Sequence, residues 1–268
     1  MNRFCPTFHY HGRFDGVDFW FDPACPVIQD AVTQTIAGPG EATTILKKDE
    51  KRLLYVGSNR EQIRFVVKIN LLPRFKDRLR AKRFAPDECR CHLRIAQSQL
   101  PVPRLWGYFH QQGFAFPVRN GLIVAYLEGG RNLTVEENLV AIPLAVALYE
   151  MGINHPDFMR NNIMICPPDK RAILIDLERC SFVEPRDFRL VLMNLARYIE
   201  YNERPFEHPG NQLMIHNTYA ALSAPPVNRA VFHELLAMLN SRHLSTRERV
   251  GLLLPADVLA KLRSAVKS

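Results

Sequence analysis

The pattern of apolar and polar positions changes near the middle of the chain. From residue 42, three runs rich in β-branched and aliphatic residues, Ala42 to Leu46, Arg52 to Val56 and Ile63 to Ile69, are separated by the polar stretches Lys-Lys-Asp-Glu-Lys-Arg and Gly-Ser-Asn-Arg. Short β-rich runs bounded by turn-forming residues predict a three-stranded antiparallel meander. The basic stretch 73–83 predicts a helix. A second helix is expected from Pro86 to about Gln99. Proline suits a first helical position because its missing N–H has no partner there, and Asp87 and Glu88 suit the positive end of the helix dipole. Two more strands are expected near Leu105–His110 and Leu122–Leu127, and Glu128-Gly129-Gly130 reads as a flexible connector.

Beyond that connector the pattern turns helical. Thr134-Val-Glu-Glu137 has capping-box spacing, hydroxyl and carboxylate each satisfying an orphan N–H. Apolar residues follow to Met151, with Pro143 kinking or restarting the helix. Ile163–Cys166 and Ala172–Ile175 flank Pro167-Pro-Asp-Lys170 and predict a hairpin. Helices are expected over 188–203, 211–222, 228–240 and 246–265. Residues 1–40 hold short hydrophobic pieces broken by Pro and Gly, read as irregular. The expected organisation is thus an extension over 1–41, a small antiparallel β lobe with one main helix over 42–128, and a larger, mainly helical lobe over 129–268. The fold class is α+β.

Composition narrows the function classes. A chain of 268 residues with 47% hydrophobic and 23% charged residues is ordinary for a globular protein. No apolar run reaches the roughly 18–20 residues that span a bilayer, and the first residues lack the apolar core of a secretory leader. A cytoplasmic location is expected. The six cysteines are scattered, and Cys89-x-Cys91 has no second pair downstream, which points to reduced structural thiols and away from a zinc site. A net charge of +8 favours anionic partners: nucleotide phosphates, nucleic acid or an anionic membrane surface.

Candidate chemistry concentrates in Gly152-Ile-Asn-His-Pro-Asp-Phe-Met-Arg-Asn-Asn-Ile-Met-Ile165 and Ala172-Ile-Leu-Ile-Asp-Leu-Glu178. His155-x-Asp157 is followed, after four intervening residues, by Asn162 and then an apolar strand, and Asp176 ends the next apolar strand. Phosphoryl transfer gives that spacing a reason, since it needs positioning and charge neutralisation more than covalent help. Asp157 on a loop would orient an acceptor hydroxyl and take its proton. Asn162 and Asp176 are hard oxygen ligands suited to Mg²⁺ on nucleotide phosphates. Glu178 reads as a solvated carboxylate or, less simply, a third acid near the metal. Lys68 inside an apolar strand needs a partner unless it lies on an edge.

These motifs resemble the catalytic loop and metal-binding aspartate of the protein-kinase superfamily, and within it the lipopolysaccharide core kinases, the Kdo and heptose kinases of Gram-negative bacteria. Phe-Val-Val-Lys-Ile at 65–69, the basic stretch 74–83, Glu88 opening a helix, Leu-Pro-Val-Pro-Arg at 100–104 and Ile-Asp-Leu-Glu-Arg at 175–179 carry that likeness over about residues 42–200. It implies a two-lobed protein-kinase-like fold, with ATP and Mg²⁺ as cofactors. Lys68 would contact the α/β-phosphates, Glu88 would pair with it, His155 would brace the catalytic loop, and the backbone of Ala125, Tyr126 and Leu127 would grip adenine. It also implies an anionic glycolipid or other hydroxyl acceptor, with peripheral contact at the inner membrane through 74–83 and no nucleic-acid partner. The chain departs from the pattern in four places. Lys47–Arg52 stands where a glycine-rich loop belongs, Asp176-Leu-Glu replaces D-F-G, no A-P-E segment follows, and Met159 stands where protein kinases carry a lysine. The missing glycines leave a catalytically inactive, nucleotide-binding form of the fold as an alternative.

Overall fold

The computed structural model describes residues 8–40, 43–81, 85–98, 100–168 and 170–267, with only the backbone at 267. Residues 82 and 83 of the basic stretch, residue 42, Cys5, Gln99 and residue 169 of the hairpin turn lie outside the described residues. The chain divides into two units, Met1–Glu128 and Gly129–Ser268.

The first unit is built on a seven-stranded antiparallel sheet. Its strands are β1 (His9–Phe14), β2 (Val17–Phe21), β3 (Thr44–Lys48), β4 (Arg52–Ser58), β5 (Arg64–Leu71), β6 (Leu105–Gln112) and β7 (Pro117–Ala125), in the spatial order β1-β2-β6-β7-β5-β4-β3. The meander expected over 42–69 is β3–β4–β5. Helix α1 (Ile28–Ala37) packs on one face, where Phe65, Val67 and Ile69 of β5 join Phe19, Phe21, Tyr55 and Phe109 in a core. Fully burying side chains of this kind stabilises by roughly 1.5–3 kcal/mol each. Helix α3 (Ala85–Ala96) packs on the other face, with Ala85 and Cys89 against Tyr108 and Leu122. Strand alternation turns Lys68 away from the first core, and its cross-strand partner Leu122 belongs to the second, so Lys68 points to the face that carries α3.

Two expectations need correction here. Residues 9–37, read as irregular, form β1, β2 and α1. Val17, Phe19 and Phe21 alternate into the core, while β1 is a largely exposed edge strand, which is why its polar pattern concealed it. Within the described part of the basic stretch, the α-helix is the short α2 (Phe75–Leu79) and not the full run.

The second unit is mainly helical. A 3₁₀ segment, Val135–Ala141, opens with the Thr134–Glu137 capping box, and α4 (Ile142–Glu150) follows with Pro143 in its first turn, so the proline restarts the helix. Helix α5 (Phe188–Glu200) is buried along nearly its whole length. Helices α6 (Pro209–Ala221), α7 (Arg229–Asn240), α8 (Thr246–Gly251) and α9 (Ala256–Lys267) complete the unit. The single helix expected over 246–265 is two, because Leu252 adopts a left-handed conformation and Pro255 precedes α9. Short strands β8 (Arg131–Asn132), β10 (Ile163–Cys166) and β11 (Arg171–Leu174) form one sheet, and β9 (Ile153–Asn154) pairs with β12 (Ser181–Phe182).

Candidate active site

In the first unit, Lys68 meets Glu88 across the sheet–helix interface. Nζ lies 3.0 Å from Oε1 and 2.9 Å from Oε2. Both side chains are buried, and β5 runs between β4 and β7, so the edge-strand reading of Lys68 is excluded. Glu88 reaches the lysine from the buried stripe of α3, Ala85–Glu88–Cys89–His92–Ile95, at helical spacing. Gly121 of β7 allows the strands to close here, since a Cβ on it would sit 2.2 Å from the Lys68 carbonyl oxygen.

The turn from β3 to β4 carries no glycine. The backbone N–H groups of Lys51 and Arg52 both donate to Asp49 Oδ1 at 2.8 Å. They are thereby committed within the turn, so those two N–H groups are not offered to an anion as a glycine-rich loop would offer them. Near Ala125–Leu127, the Ala125 N–H donates to the Arg104 carbonyl and the Tyr126 N–H to the Arg64 carbonyl. The Arg64 guanidinium covers the Tyr126 ring and pairs with Glu128.

In the second unit, four sequence-picked residues come together. His155 is fully buried, and its Nε2–H donates to the Ile175 carbonyl at 3.3 Å. Burial holds its pKa below the ordinary histidine value, against the opposing pull of Asp176 and Asp157, so the ring is a neutral brace. Asn162 donates Nδ2–H to the Asp157 carbonyl at 2.9 Å, and its own carbonyl accepts from the Ile175 N–H at 2.9 Å. The β10–β11 ladder pairs Ile163 with Leu174, which fixes Asn162 beside the Ile175–Asp176 step. Asp176 is half-buried with φ 57°, a left-handed conformation that aspartate tolerates better than most residues. Phe158 anchors the loop from below, buried against Tyr198. Gly152 enters the loop at φ 68°, where a Cβ would lie 2.3 Å from the Val183 carbonyl oxygen.

Asp157 itself is held by two arginines that sequence reasoning passed over. Arg249 of α8 donates from Nη1 to Asp157 Oδ1 at 2.5 Å and to the Pro156 carbonyl at 2.8 Å. Arg197 of α5 approaches the same oxygen at 3.4 Å. Both guanidinium groups are buried, while the Asp157 side chain is 31% exposed. Asn154 ties α8 down by donating to the Arg249 and Val250 carbonyls. Arg197 sits inside an apolar helix and so carried a signal; Arg249, in Thr-Arg-Glu-Arg-Val, looked like any solvated arginine. Glu178 is buried beside Arg179, which overturns its reading as a solvated carboxylate.

The donor set fits a small divalent cation. With Nδ2 of Asn162 committed to the Asp157 carbonyl, a cation here would meet Asn162 through Oδ1 and Asp176 through its carboxylate. Two protein oxygens suit Mg²⁺, which keeps several waters and takes the rest of its shell from phosphates.

The sequence matches no protein-family model and no curated protein. Solved structures do match. The amicoumacin kinase hAmiN in complex with AMP-PNP, Ca²⁺ and Ami aligns over 88% of this chain and 91% of its own, at 12% identity and a TM-score of 0.51. WaaP in complex with acyl carrier protein aligns over 89% and 92%, at 15% identity and a TM-score of 0.48. The Rio2 kinase ADP/Mg²⁺-phosphoaspartate complex from Chaetomium thermophilum aligns over 98% and 81%, at 13% identity and a TM-score of 0.46. The chain has the protein-kinase-like fold.

Proposed function

We propose that the protein is an ATP-dependent phosphotransferase that phosphorylates a hydroxyl of a lipopolysaccharide inner-core sugar, Kdo or heptose. The observation that carries the reading is the hydrogen-bonded chain joining Asp157, Asn162, Ile175 and His155; the buried Lys68–Glu88 pair within the first unit supports it separately. The sugar acceptor rests on the sequence resemblance and the net charge of +8.

On this reading Lys68 meets the α- and β-phosphates, with Glu88 fixing its rotamer. Asn162 and Asp176 hold Mg²⁺, which when bound supplies charge neutralisation at the phosphates. Asp157 accepts the acceptor hydroxyl's proton as that oxygen bonds to the γ-phosphorus and the bond to the β–γ bridging oxygen breaks, releasing ADP. Adenine is left to the Leu127 N–H and the neighbouring carbonyls, since the Ala125 and Tyr126 N–H groups are engaged internally. Side chains of 47–52, rather than turn N–H groups, would cover the phosphates. The acceptor is amphiphilic, so the protein would work in the cytoplasm at the inner-membrane surface.

Incubating the purified protein with ATP, Mg²⁺ and dephosphorylated core oligosaccharide should place phosphate on Kdo or heptose, read by mass spectrometry. ATP turnover only with other hydroxyl acceptors would discard the sugar assignment; no turnover with any acceptor would favour the inactive, nucleotide-binding alternative.

A further inference from the structure

The strand register gathers several loops at one end of the seven-stranded sheet. Val17 pairs with Gln111, so the β1–β2 turn lies beside the β6–β7 turn. Leu71 pairs with Arg119, so the exit of β5 into α2 lies beside the start of β7. Phe75 of α2 meets Phe116 of the β6–β7 turn edge-on, ring centroids 5.2 Å apart. This end exposes large apolar side chains that water does not favour: Phe114 is fully exposed at the turn, Phe75 is 61% exposed and Leu79 56%. Apolar groups clustered this way, rimmed by polar residues, mark an interaction surface.

The rim is basic. Arg74, Lys76, Arg78 and Arg80 surround the two apolar positions of α2, with Asp77 as the single acid between them. Asp77 is already paired with Lys51, and Arg74 lies 3.7 Å from the exposed Glu50 carboxylate. Lys76 and Arg80 have no carboxylate partner among the described residues. A partner must therefore be anionic outside and apolar just beneath. An acidic protein supplies the first property and nucleic acid offers stacking grooves, but three separated, outward-pointing apolar tips suit a bilayer, whose headgroup layer overlies acyl chains.

We propose that Phe75, Leu79 and Phe114, flanked by Arg74, Lys76 and Arg80, dock the first unit onto an anionic lipid bilayer. The three apolar tips enter the boundary between headgroups and acyl chains, and the basic residues meet lipid phosphates. The proposal deepens the membrane contact included in the phosphotransferase reading and rests on that reading for its purpose, while the docking itself needs neither nucleotide nor acceptor.

The test uses the full chain, without nucleotide, and vesicles of phosphatidylglycerol with phosphatidylcholine against phosphatidylcholine alone. The wild type should co-sediment with the anionic vesicles and release as salt rises. The triple variant F75S/L79S/F114S should bind at least about tenfold more weakly, and K76E or R80E by about fivefold or more each. F114W should shift its emission to the blue on binding and be quenched by brominated acyl chains. Failure of the wild type to bind anionic vesicles overturns the proposal. So does a triple variant that binds undiminished, which would make the patch a surface for acidic proteins or polyanions, or an F114W emission that binding leaves unchanged. Vesicle binding by a protein that phosphorylates nothing would sink the phosphotransfer reading and leave the docking surface standing.

Discussion

Arg249 and Asp157 are joined by a 2.5 Å charge-assisted hydrogen bond between residues 92 positions apart. Met159, two residues after Asp157, brings no charge to the carboxylate, and the cation comes from α8. The guanidinium also grips the Pro156 carbonyl, so it fixes the carboxylate and the backbone that carries it.

Arg249→Met is expected to lower kcat by about 10- to 100-fold, the worth of roughly 1.5–3 kcal/mol for a hydrogen bond to a charged group. The KM for ATP should barely move. Arg249→Lys should recover part of the loss. Steady-state kinetics decide it: a KM that rises with kcat unchanged would assign Arg249 to binding instead.

Asp157→Ala should reduce turnover about 10²–10⁴-fold while nucleotide affinity survives. Asp176→Ala should weaken Mg²⁺–nucleotide binding, and EDTA should reproduce that loss in the wild type. Calorimetric titration with Mg²⁺–ATP separates the two; an Asp176→Ala protein with unchanged affinity would remove Asp176 from the metal.

Lys68→Met removes the lysine partner of the buried Glu88 carboxylate, and breaking a buried pair from one side destabilises by about 3–5 kcal/mol. The double variant Lys68→Met/Glu88→Leu should regain most of that, because neither charge is then left buried. Urea unfolding measures both. Equal stabilities for the single and double variants would mean that Glu88 relaxes to water once its partner is gone.

Glu137 offers a pH test. Arg131 donates to it at 2.7 and 2.6 Å and the Thr134 N–H at 3.0 Å, which holds its carboxyl down from 4.5 to about 2. A depressed folded pKa stabilises fully above the unfolded value and is lost as pH falls through the folded one. Thermal melts should therefore show Glu137→Gln with a flatter decline between about pH 4.3 and pH 2 than the wild type, the difference shrinking in high salt. Parallel curves for the two proteins would show the ion pair contributing nothing.

The legible parts of this chain were those where neighbours in sequence are neighbours in space. Alternation around Lys68, the capping box at Thr134 and the strand–turn–strand pattern on either side of residue 167 are local, and each could be read directly. What escaped reading depends on distant packing. β1 is an exposed edge with no apolar alternation, and α1 begins without a side-chain cap. Arg249 gains its meaning only once α8 is brought to Asp157, which no spacing rule encodes.

The β10–β11 ladder has a consequence for how such a sequence drifts. The separation of Asn162 and Asp176 is set by paired backbone from Ile163 to Leu174 and not by the residues that reverse the chain. Insertions and deletions at that reversal are free to accumulate, provided the rungs are kept. Relatives of this protein are therefore better recognised by counting from each strand outward, away from the turn, to Asn162 and Asp176 than by the total interval between the two.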